Sequence, residues 1–569
     1  MRHTKRSSPE AHSRPLFPGA ASSGDEANLA TQRTRVPHSR MLRFTSTAAA
    51  FLLAATVLAA CASANSGAAP ATPAFTAAKT SHVLNAALTA NTQPPDPDVF
   101  YAGQGLAITT SVYQGLVQYA PNTTQHRIVP DLATSWAISP NGLTYTFQLR
   151  TGVFFHDGTP FTSTAVAASF DRRLAVNQAP AYMLADLASV GTSNPHVAIV
   201  RLKKPNSAFL DYLASAYGPK MESPTALAAH AGATHDQTWM KTHDAGTGPY
   251  YIASVVPGQK YVLKAFPKYW GPKPYYTTVN ISIIPDMSTQ QLELQRGQLS
   301  IIMNDYLPGP AIQAFRANPA FTVTEVPTLE MPMIWVNERH GLFASQTMRT
   351  DLAKAIDRRS LTQSVFPGRA NVSSQIYPKG ILPAGTATFK PTYNPHALTK
   401  AVAKLSNKSL QLAYQADDPT SKLMANLLQA ELATTGLQVT VVAVPQATIY
   451  NWPGNPGPSL PDLLIETNWP DAYNPDTWAR IVMTPGGGLN YLNCNVPSGT
   501  ALLNAGRAAS APTQVARDYE KAGNAFAASG CWIPLANKEG TVVAPSWMSG
   551  ISYQKAVPHT VIIADLHPK

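Results

Sequence analysis

A short loop near residue 470 concentrates aromatic and acidic side chains. Ligand pockets are lined mainly by aromatic and apolar groups with a few polar ones, and a carboxylate in a cleft suits a cationic ligand group. Segment 467–478 is therefore predicted to bind a small solute. Its candidate residues are Trp469, Asp471, Tyr473 and Asp476. The alternatives are an aspartate that caps a loop through backbone N–H groups and aromatic rings that pack the core, as we expect for Trp478.

The elements before this loop form a βαβ pattern. Residues 410–414 and 437–444 are predicted strands, and the helix between them begins at Asp418–Pro419 and ends at Gly436. The apolar stripe of that helix is assigned to Leu423, Leu427 and Leu428. A third strand, 462–466, leads directly into the loop. In open α/β sheets ligands bind beyond the carboxyl ends of the strands, so this fold places the loop at a binding position.

The first half of the chain also contains strand and helix signals. Alternating apolar residues predict half-buried strands over 143–149 and 279–283. The segment 288–291 fits a capping box, and Gly297 is expected to end the short helix that follows it. The whole body therefore has mixed α/β character.

Composition and charge exclude several classes of protein. The chain has 569 residues, 44% of them hydrophobic, so it is long enough for several domains and is not disordered as a whole. Its net charge is +11, from 43 Lys and Arg against 32 Asp and Glu. Eight of the basic and three of the acidic residues lie within 1–60, which leaves +6 on the remainder. Without a basic run interleaved with aromatics, a nucleic-acid partner is not expected.

The amino terminus has the pattern of an export signal. An apolar run over 48–60 is too short to span a bilayer, and Arg43 precedes it as in a secretory signal peptide. The run ends at Cys61 in a sequence that looks like a bacterial lipobox, which implies cleavage before Cys61 and lipidation of its thiol. The alternative is a buried cysteine in an ordinary signal peptide. Translation starts at Met1 or Met41, and 61–80 has the composition of a flexible tether.

Export would place the two remaining cysteines where a disulfide can form. Cys494 and Cys531 lie in an oxidising compartment if the chain is secreted, where they either form a disulfide or remain separate buried thiols. A zinc site is not expected, because two cysteines 37 residues apart with no histidine nearby do not supply tetrahedral ligands. No other metal or cofactor is expected.

Several segments resemble one family in order and spacing. From residue 81 to the end, the chain resembles the family-5 extracellular solute-binding proteins, the peptide, nickel and oligosaccharide receptors of ABC importers. The segments that carry the resemblance are 96–97, 111–117, 128–136, 142–161, 246–250, 269–271 and 355–358.

The resemblance implies a two-lobed periplasmic-binding-protein type II fold with a ligand cleft between the lobes. An extra subdomain is inserted in the first lobe. The implied domains are 1–60 (extension and lipoprotein signal), 61–80 (tether), 81–125 (lobe I), 126–244 (inserted subdomain), 245–335 (lobe I), 336–535 (lobe II) and 536–569 (return to lobe I).

The resemblance also implies roles for single residues. In peptide-binding members an aspartate after the loop tryptophan pairs with the α-ammonium of the ligand. Anchored on Pro475 this position is Asp471, although it lies two residues after Trp469 where three are usual, and Asp476 is the substitute. Tyr113 matches a family motif, as a structural or ligand-binding residue. Gly246 and Gly248 permit unusual backbone angles near the crossing between lobes and are expected to act as hinge residues.

The implied function is binding rather than catalysis. The chain lacks the G-x-S-x-G and H-E-x-x-H motifs of the rival class, an exported hydrolase. We expect a lipid-anchored monomer on the extracytoplasmic side of the membrane that delivers an oligopeptide or dipeptide to an ABC permease and its ATPase. The alternatives keep the fold but bind an oligosaccharide or a nickel chelate, or sense a ligand without transport.

Overall fold

The computed structural model describes residues 79–90, 92–103, 105–303, 306–339, 341–455, 457 and 460–569. The predicted signal peptide, the two possible start codons, the lipidation site Cys61 and nearly all of the tether lie outside these residues. None of the helices in the described ranges combines the length and apolar composition needed to cross a bilayer.

The described residues form twenty strands and fifteen α-helices. The strands are β1 (Val83–Leu88), β2 (Val117–Tyr119), β3 (Ile128–Pro130), β4 (Ala133–Ile138), β5 (Thr144–Leu149), β6 (Leu187–Asn194), β7 (Val197–Leu202), β8 (Tyr250–Val256), β9 (Lys260–Ala265), β10 (Thr278–Ile283), β11 (Phe321–Pro327), β12 (Met331–Val336), β13 (Ala370–Val372), β14 (Ser409–Gln415), β15 (Gln438–Val444), β16 (Leu463–Asn468), β17 (Trp532–Pro534), β18 (Ala536–Pro545), β19 (Met548–Ser549) and β20 (His567–Pro568). The helices are α1 (Leu106–Val112), α2 (Ser163–Val176), α3 (Phe209–Ala214), α4 (Pro224–His230), α5 (Gln237–Met240), α6 (Met287–Gln295), α7 (Gly309–Ala317), α8 (Gln346–Ala355), α9 (Arg358–Val365), α10 (His396–Val402), α11 (Pro419–Ala433), α12 (Gln446–Tyr450), α13 (Pro475–Met483), α14 (Pro497–Ala508) and α15 (Pro512–Ser529).

Two four-stranded sheets lie in the first half of the chain. One has the order β1-β10-β9-β8, with β1 and β10 parallel. The other has the order β4-β5-β7-β6 and is antiparallel throughout. The predicted strands at 143–149 and 279–283 are confirmed as β5 and β10. In β5 the side chains of Tyr145, Phe147 and Leu149 are buried on one face, as the alternation requires.

The second half is organised by a five-stranded sheet of order β15-β14-β16-β12-β17. Strand β14 is parallel to both β15 and β16, so the predicted βαβ unit is confirmed. Apolar clusters cover both faces of this sheet. Because β12 pairs with β16 over its whole length, the predicted lobe boundary between residues 335 and 336 falls inside a strand of this sheet. The other domain boundaries stay predictions.

Local signals start and stop the helix of the βαβ unit. The Asp418 carboxylate accepts a hydrogen bond from the Thr420 backbone N–H at 2.8 Å, and Gly436 has a φ of 90° just beyond the helix. The predicted stripe was wrong at Leu423, which is 44% exposed. The buried face instead consists of Ser421, Met424, Ala425, Leu428 and Leu432.

The N-cap of helix α6 lies two residues before the predicted capping box. The Asp286 carboxylate accepts hydrogen bonds from the Thr289 N–H at 2.7 Å and the Thr289 hydroxyl at 2.8 Å. Asp286 is therefore the N-cap, and Ser288 lies in the first turn. Gly297, with a φ of 71°, follows the helix as expected.

A buried ion cluster ties the amino-terminal segment to α2. Arg172 reaches Asp96 at 2.7 Å, Asp98 at 2.9 Å and Glu222 at 3.0 Å, and all four side chains are almost fully buried. Arg173 adds a second cation, 2.8 Å from Asp98. The two guanidinium groups thus compensate carboxylates that would otherwise be costly to bury.

The predicted disulfide between Cys494 and Cys531 is present. Their Cα atoms are 6.3 Å apart, within the usual range for a bridge. It connects the segment before α14 to the start of β17, and both cysteines are buried in the core beneath the five-stranded sheet.

Candidate functional site

The loop that carries the candidate residues follows β16 directly. Strand β16 lies between β14 and β12 in the sheet and ends at Asn468. The loop ends where the Asn474 side chain accepts a hydrogen bond from the Asp476 N–H at 2.8 Å and caps α13. The sheet and the helix cap thus hold the two ends of a six-residue loop.

Asp471 is buried against residues from distant parts of the chain. Its carboxylate oxygen Oδ2 accepts hydrogen bonds from the hydroxyls of Tyr101 and Tyr182. Its backbone carbonyl accepts a hydrogen bond from the Ser215 hydroxyl. The loop is therefore fastened to the amino-terminal half of the chain through residue 471 itself.

Asp471 forms no ion pair with a cation in the described part of the chain, and only 5% of its surface is exposed. Burial raises the pKa of its carboxyl to about 6, and the hydrogen bonds from Tyr101 and Tyr182 oppose that rise. An ammonium group that reached this carboxylate would supply the missing countercharge.

Aromatic side chains from several segments surround Trp469. The indole Nε1 donates a hydrogen bond to the Tyr217 hydroxyl at 3.2 Å. The His559 ring meets the indole edge-on with centroids 5.0 Å apart, and Tyr306 stacks on His559 at 5.5 Å. Tyr101 packs edge-on against Tyr217 at 5.3 Å. Trp469, which is half-buried, and Asp471 thus share one aromatic environment.

Tyr473 uses its polar groups within the protein. Its hydroxyl donates to the Thr124 carbonyl at 2.8 Å and accepts from Lys555 Nζ at 3.1 Å. Its backbone N–H donates to the Tyr119 hydroxyl at 2.8 Å. With 4% exposure, the side chain fastens the loop rather than presenting a free hydroxyl.

Asp476, the substitute candidate, is neutralised inside the fold. Arg480 Nη2 lies 2.6 Å from its Oδ1 and Arg480 Nε lies 2.9 Å from its Oδ2, while Tyr212 donates to Oδ2 at 3.0 Å. Trp478 is fully buried, as expected for a core residue. Asp476 therefore has a cationic partner, whereas Asp471 has none among the described residues.

Tyr113 lies in the core of the first half. It is 2% exposed, and its hydroxyl contacts the Met240 sulfur at 3.6 Å. Tyr113 makes no contact with the loop residues in the described structure, which favours a structural role for this residue.

Gly246 and Gly248 are needed for close approach and not for unusual angles. Neither has a positive φ, so the predicted reason was wrong. A Cβ atom on Gly246 would lie 2.1 Å from the Val112 carbonyl oxygen, and one on Gly248 would lie 2.5 Å from the Ser111 carbonyl oxygen. Their hinge role stays a prediction.

Sequence reasoning missed Tyr101, Tyr182, Tyr217 and His559. These residues are scattered over more than 450 positions and carry no local motif, so only the fold brings them to the loop. The Asp476–Arg480 pair did have a signal, because residues four apart on a helix are neighbours.

Comparison with known proteins identifies the family. The model of the bacterial extracellular solute-binding proteins, family 5 (middle region), matches residues 127–487. The chain belongs to this family. Its relatives are solute-binding proteins rather than enzymes.

One curated relative is the probable D,D-dipeptide-binding periplasmic protein DdpA of Escherichia coli (strain K12). It is 29% identical over 447 residues, which cover 76% of this chain and 84% of that protein.

Solved structures confirm the predicted two-lobed α/β fold. NikA from Brucella suis, in complex with Fe(III)-EDTA, has a TM-score of 0.76 at 21% identity and covers 86% of this chain and 100% of its own. DppA from Helicobacter pylori, in complex with the peptide STSA, has a TM-score of 0.73 at 20% identity and covers 87% of this chain and 99% of its own.

Proposed function

We propose that this family-5 protein captures a peptide with a free amino terminus between its lobes and delivers it to an ABC permease and its ATPase. The observation that carries the proposal is the buried Asp471 carboxylate, which two tyrosine hydroxyls hold and which no described cation neutralises. Two similar proteins support this ligand class: DdpA of Escherichia coli is named as a probable D,D-dipeptide-binding protein, and DppA from Helicobacter pylori was solved in complex with the peptide STSA.

The geometry assigns a specific task to each group. Tyr101 and Tyr182 fix the Asp471 carboxylate, so an arriving α-ammonium meets an acceptor that is already oriented. Trp469 supplies an apolar wall next to it. Such a site binds and releases its solute, and we expect no chemical turnover.

Binding of a peptide series by calorimetry and thermal shift tests the proposal. Trialanine should bind and raise the melting temperature, whereas N-acetyl-trialanine should bind more weakly because it has no ammonium. In Asp471→Asn the two peptides should bind almost equally, since both changes remove the same ion pair. Asp171→Asn, at an exposed position on α2, is the matched control and should behave as the wild type does.

Other outcomes would redirect the ligand class. Additive losses from acetylation and from Asp471→Asn would show that this aspartate does not meet the ammonium. Thermal shifts with oligosaccharides or with nickel–histidine, but not with any peptide, would replace the substrate class. Peptide binding without peptide uptake by cells would favour a sensor over a transport component.

We further propose that the protein is anchored to the membrane as a monomer through lipid on Cys61. The support is the apolar run that ends in a lipobox-like sequence at this residue. Cys61→Ser should release the protein from the membrane fraction or block its processing. Unchanged membrane retention together with an unchanged mature mass would refute the anchor.

A further inference from the structure

A second buried carboxyl group lies in the strand before the loop. Glu466 is 5% exposed, and its Oε2 has no hydrogen-bond partner among the described residues. Asn468, two residues further along β16, is 4% exposed, and its Nδ2 also lacks a partner there. Residues two apart in a strand point to the same face. Buried polar atoms are rarely left without a hydrogen-bond partner in folded proteins. The Glu466 carboxyl and the Asn468 amide are therefore candidates for binding polar groups of a ligand.

The groups around Glu466 are aromatic, acidic or apolar. Tyr491 donates a hydrogen bond to Asn468 Oδ1 at 3.3 Å and stacks on Tyr450, with ring centroids 6.0 Å apart. Asp417 and Asp418, just beyond the end of β14, act on Glu466 electrostatically. Directly across the ladder on β12 is Met333. No cation among the described residues opposes this set, and burial, followed by Asp418 and Asp417, raises the Glu466 pKa well above its ordinary value.

Glu466 and Asp471 lie close together in the chain, in β16 and in the loop that follows it. Tyr101 donates to Asp471, and the Tyr101 pKa is raised by burial, by Asp471 and also by Tyr450. The Tyr450 pKa is in turn raised by burial and by Glu466. Tyr450 is thus coupled electrostatically to Glu466 and to Tyr101, the hydrogen-bond partner of Asp471, and 43% of its surface is exposed. In the proposed complex, a ligand held by its ammonium at Asp471 extends toward Tyr450.

We propose that Glu466 and Asn468 form a second subsite that takes the cationic side chain of a lysine or arginine residue near the amino terminus of the peptide. This inference rests on the proposed function and narrows its substrate class. The ligand cation would pair with Glu466 Oε2, and Asn468 Nδ2 would donate to a carbonyl oxygen of the ligand. A cation fits better than a neutral group because Asp417 and Asp418 add negative charge and no described cation offsets it.

Binding of a ligand cation at Glu466 should also release a proton from its carboxyl group. Burial raises the pKa of Glu466 well above its ordinary value in the free site, whereas pairing with an ammonium favours the ionised form and lowers that pKa. The proton leaves to solvent, so the affinity for a basic peptide should increase with pH.

Lysine and norleucine peptides of the same length test the subsite. Lys-Ala-Ala, Ala-Lys-Ala and Ala-Ala-Lys are compared by calorimetry with their norleucine counterparts. At one position the lysine peptide should bind the wild type at least about tenfold more tightly. Glu466→Gln should remove most of that preference, and it should release fewer protons than the wild type when the titration is repeated in buffers of different ionisation enthalpy. Asp171→Asn should retain both properties.

The outcomes separate the two proposals. If no peptide binds, the proposed function fails and the subsite fails with it. If peptides bind but lysine and norleucine are equal at all three positions, the subsite is refuted while the proposed function stands. This comparison needs only the wild-type protein, so it remains decisive even if Glu466→Gln does not fold. A lysine preference that persists unchanged in folded Glu466→Gln would also refute the assignment.

Discussion

Asp471→Asn should have opposite effects on folding and on binding. The carboxyl has a pKa of about 6 in the folded protein against an ordinary value of 3.8. A folded-state pKa above the unfolded one means that the ionised form is disfavoured by folding, so ionised Asp471 lowers stability. One pKa unit corresponds to about 1.4 kcal/mol. The ligand-free variant should therefore be more stable than the wild type by up to about 3 kcal/mol near neutral pH.

The pH dependence follows from the same shift. The advantage of asparagine begins as the pH rises through 3.8 and is complete above about 6, because only there is the folded-state carboxyl ionised. Between about pH 7.5 and about pH 4.5 it should fall from about 3 to about 1 kcal/mol. Urea denaturation of the ligand-free protein at these two pH values measures it. Asp171→Asn, an exposed aspartate, should change the free energy of unfolding little at either pH.

Binding should change in the other direction. Removing one partner of a buried charge pair costs about 2–5 kcal/mol, so Asp471→Asn should weaken peptide affinity by about 30-fold or more. A variant that is both less stable without ligand and unchanged in affinity would refute the reasoning, because it would show that Asp471 serves as a structural acceptor for Tyr101 and Tyr182. Higher stability combined with unchanged affinity would refute only its role in binding.

Three further substitutions test the fold around the site. Replacing Cys494 and Cys531 by serine should lower the free energy of unfolding by roughly 3–4 kcal/mol, since the bridge closes a 37-residue separation; two reactive thiols in the unfolded, non-reduced wild type would contradict the bridge. Arg172→Met should cost about 3–5 kcal/mol in urea denaturation because it leaves its buried carboxylate partners uncompensated. Gly246→Ala places a Cβ 2.1 Å from a carbonyl oxygen of α1, so it should destabilise by about 1–3 kcal/mol, whereas Gly232→Ala, with open space around it, should be nearly neutral.

The sequence was sufficient for features that depend on neighbouring residues. Asp418–Pro419 and Gly436 mark the ends of α11 correctly because helix caps are local interactions. The apolar stripe failed at Leu423 because three leucines fit the helical period, while the side chains that face the sheet are decided by tertiary packing. The sequence therefore predicted the helix correctly but assigned a wrong side chain to its buried face.

The partners of the site loop could not be predicted in this way. Asp471 meets Tyr101, Tyr182 and Ser215 across sequence separations of 370, 289 and 256 residues. No pattern of residue types records such a contact, since it depends on how the two halves of the chain pack. The resemblance to the family selected Asp471, and the structure adds the reason that it differs from Asp476.

The buried carboxyl groups are of two kinds: those that pair with a cation inside the fold and those that do not. Asp96 and Asp98 pair with Arg172 and Arg173, and Asp476 pairs with Arg480, so these carboxylates have cationic partners within the fold whether or not a ligand is present. Asp471 and Glu466 are also buried, but no described cation is paired with either of them, and burial raises the pKa of each. Buried, uncompensated carboxyl groups lower the stability of the free protein. In the proposed function a cationic ligand supplies the missing countercharge at both positions, so the removal of that cost should favour its binding.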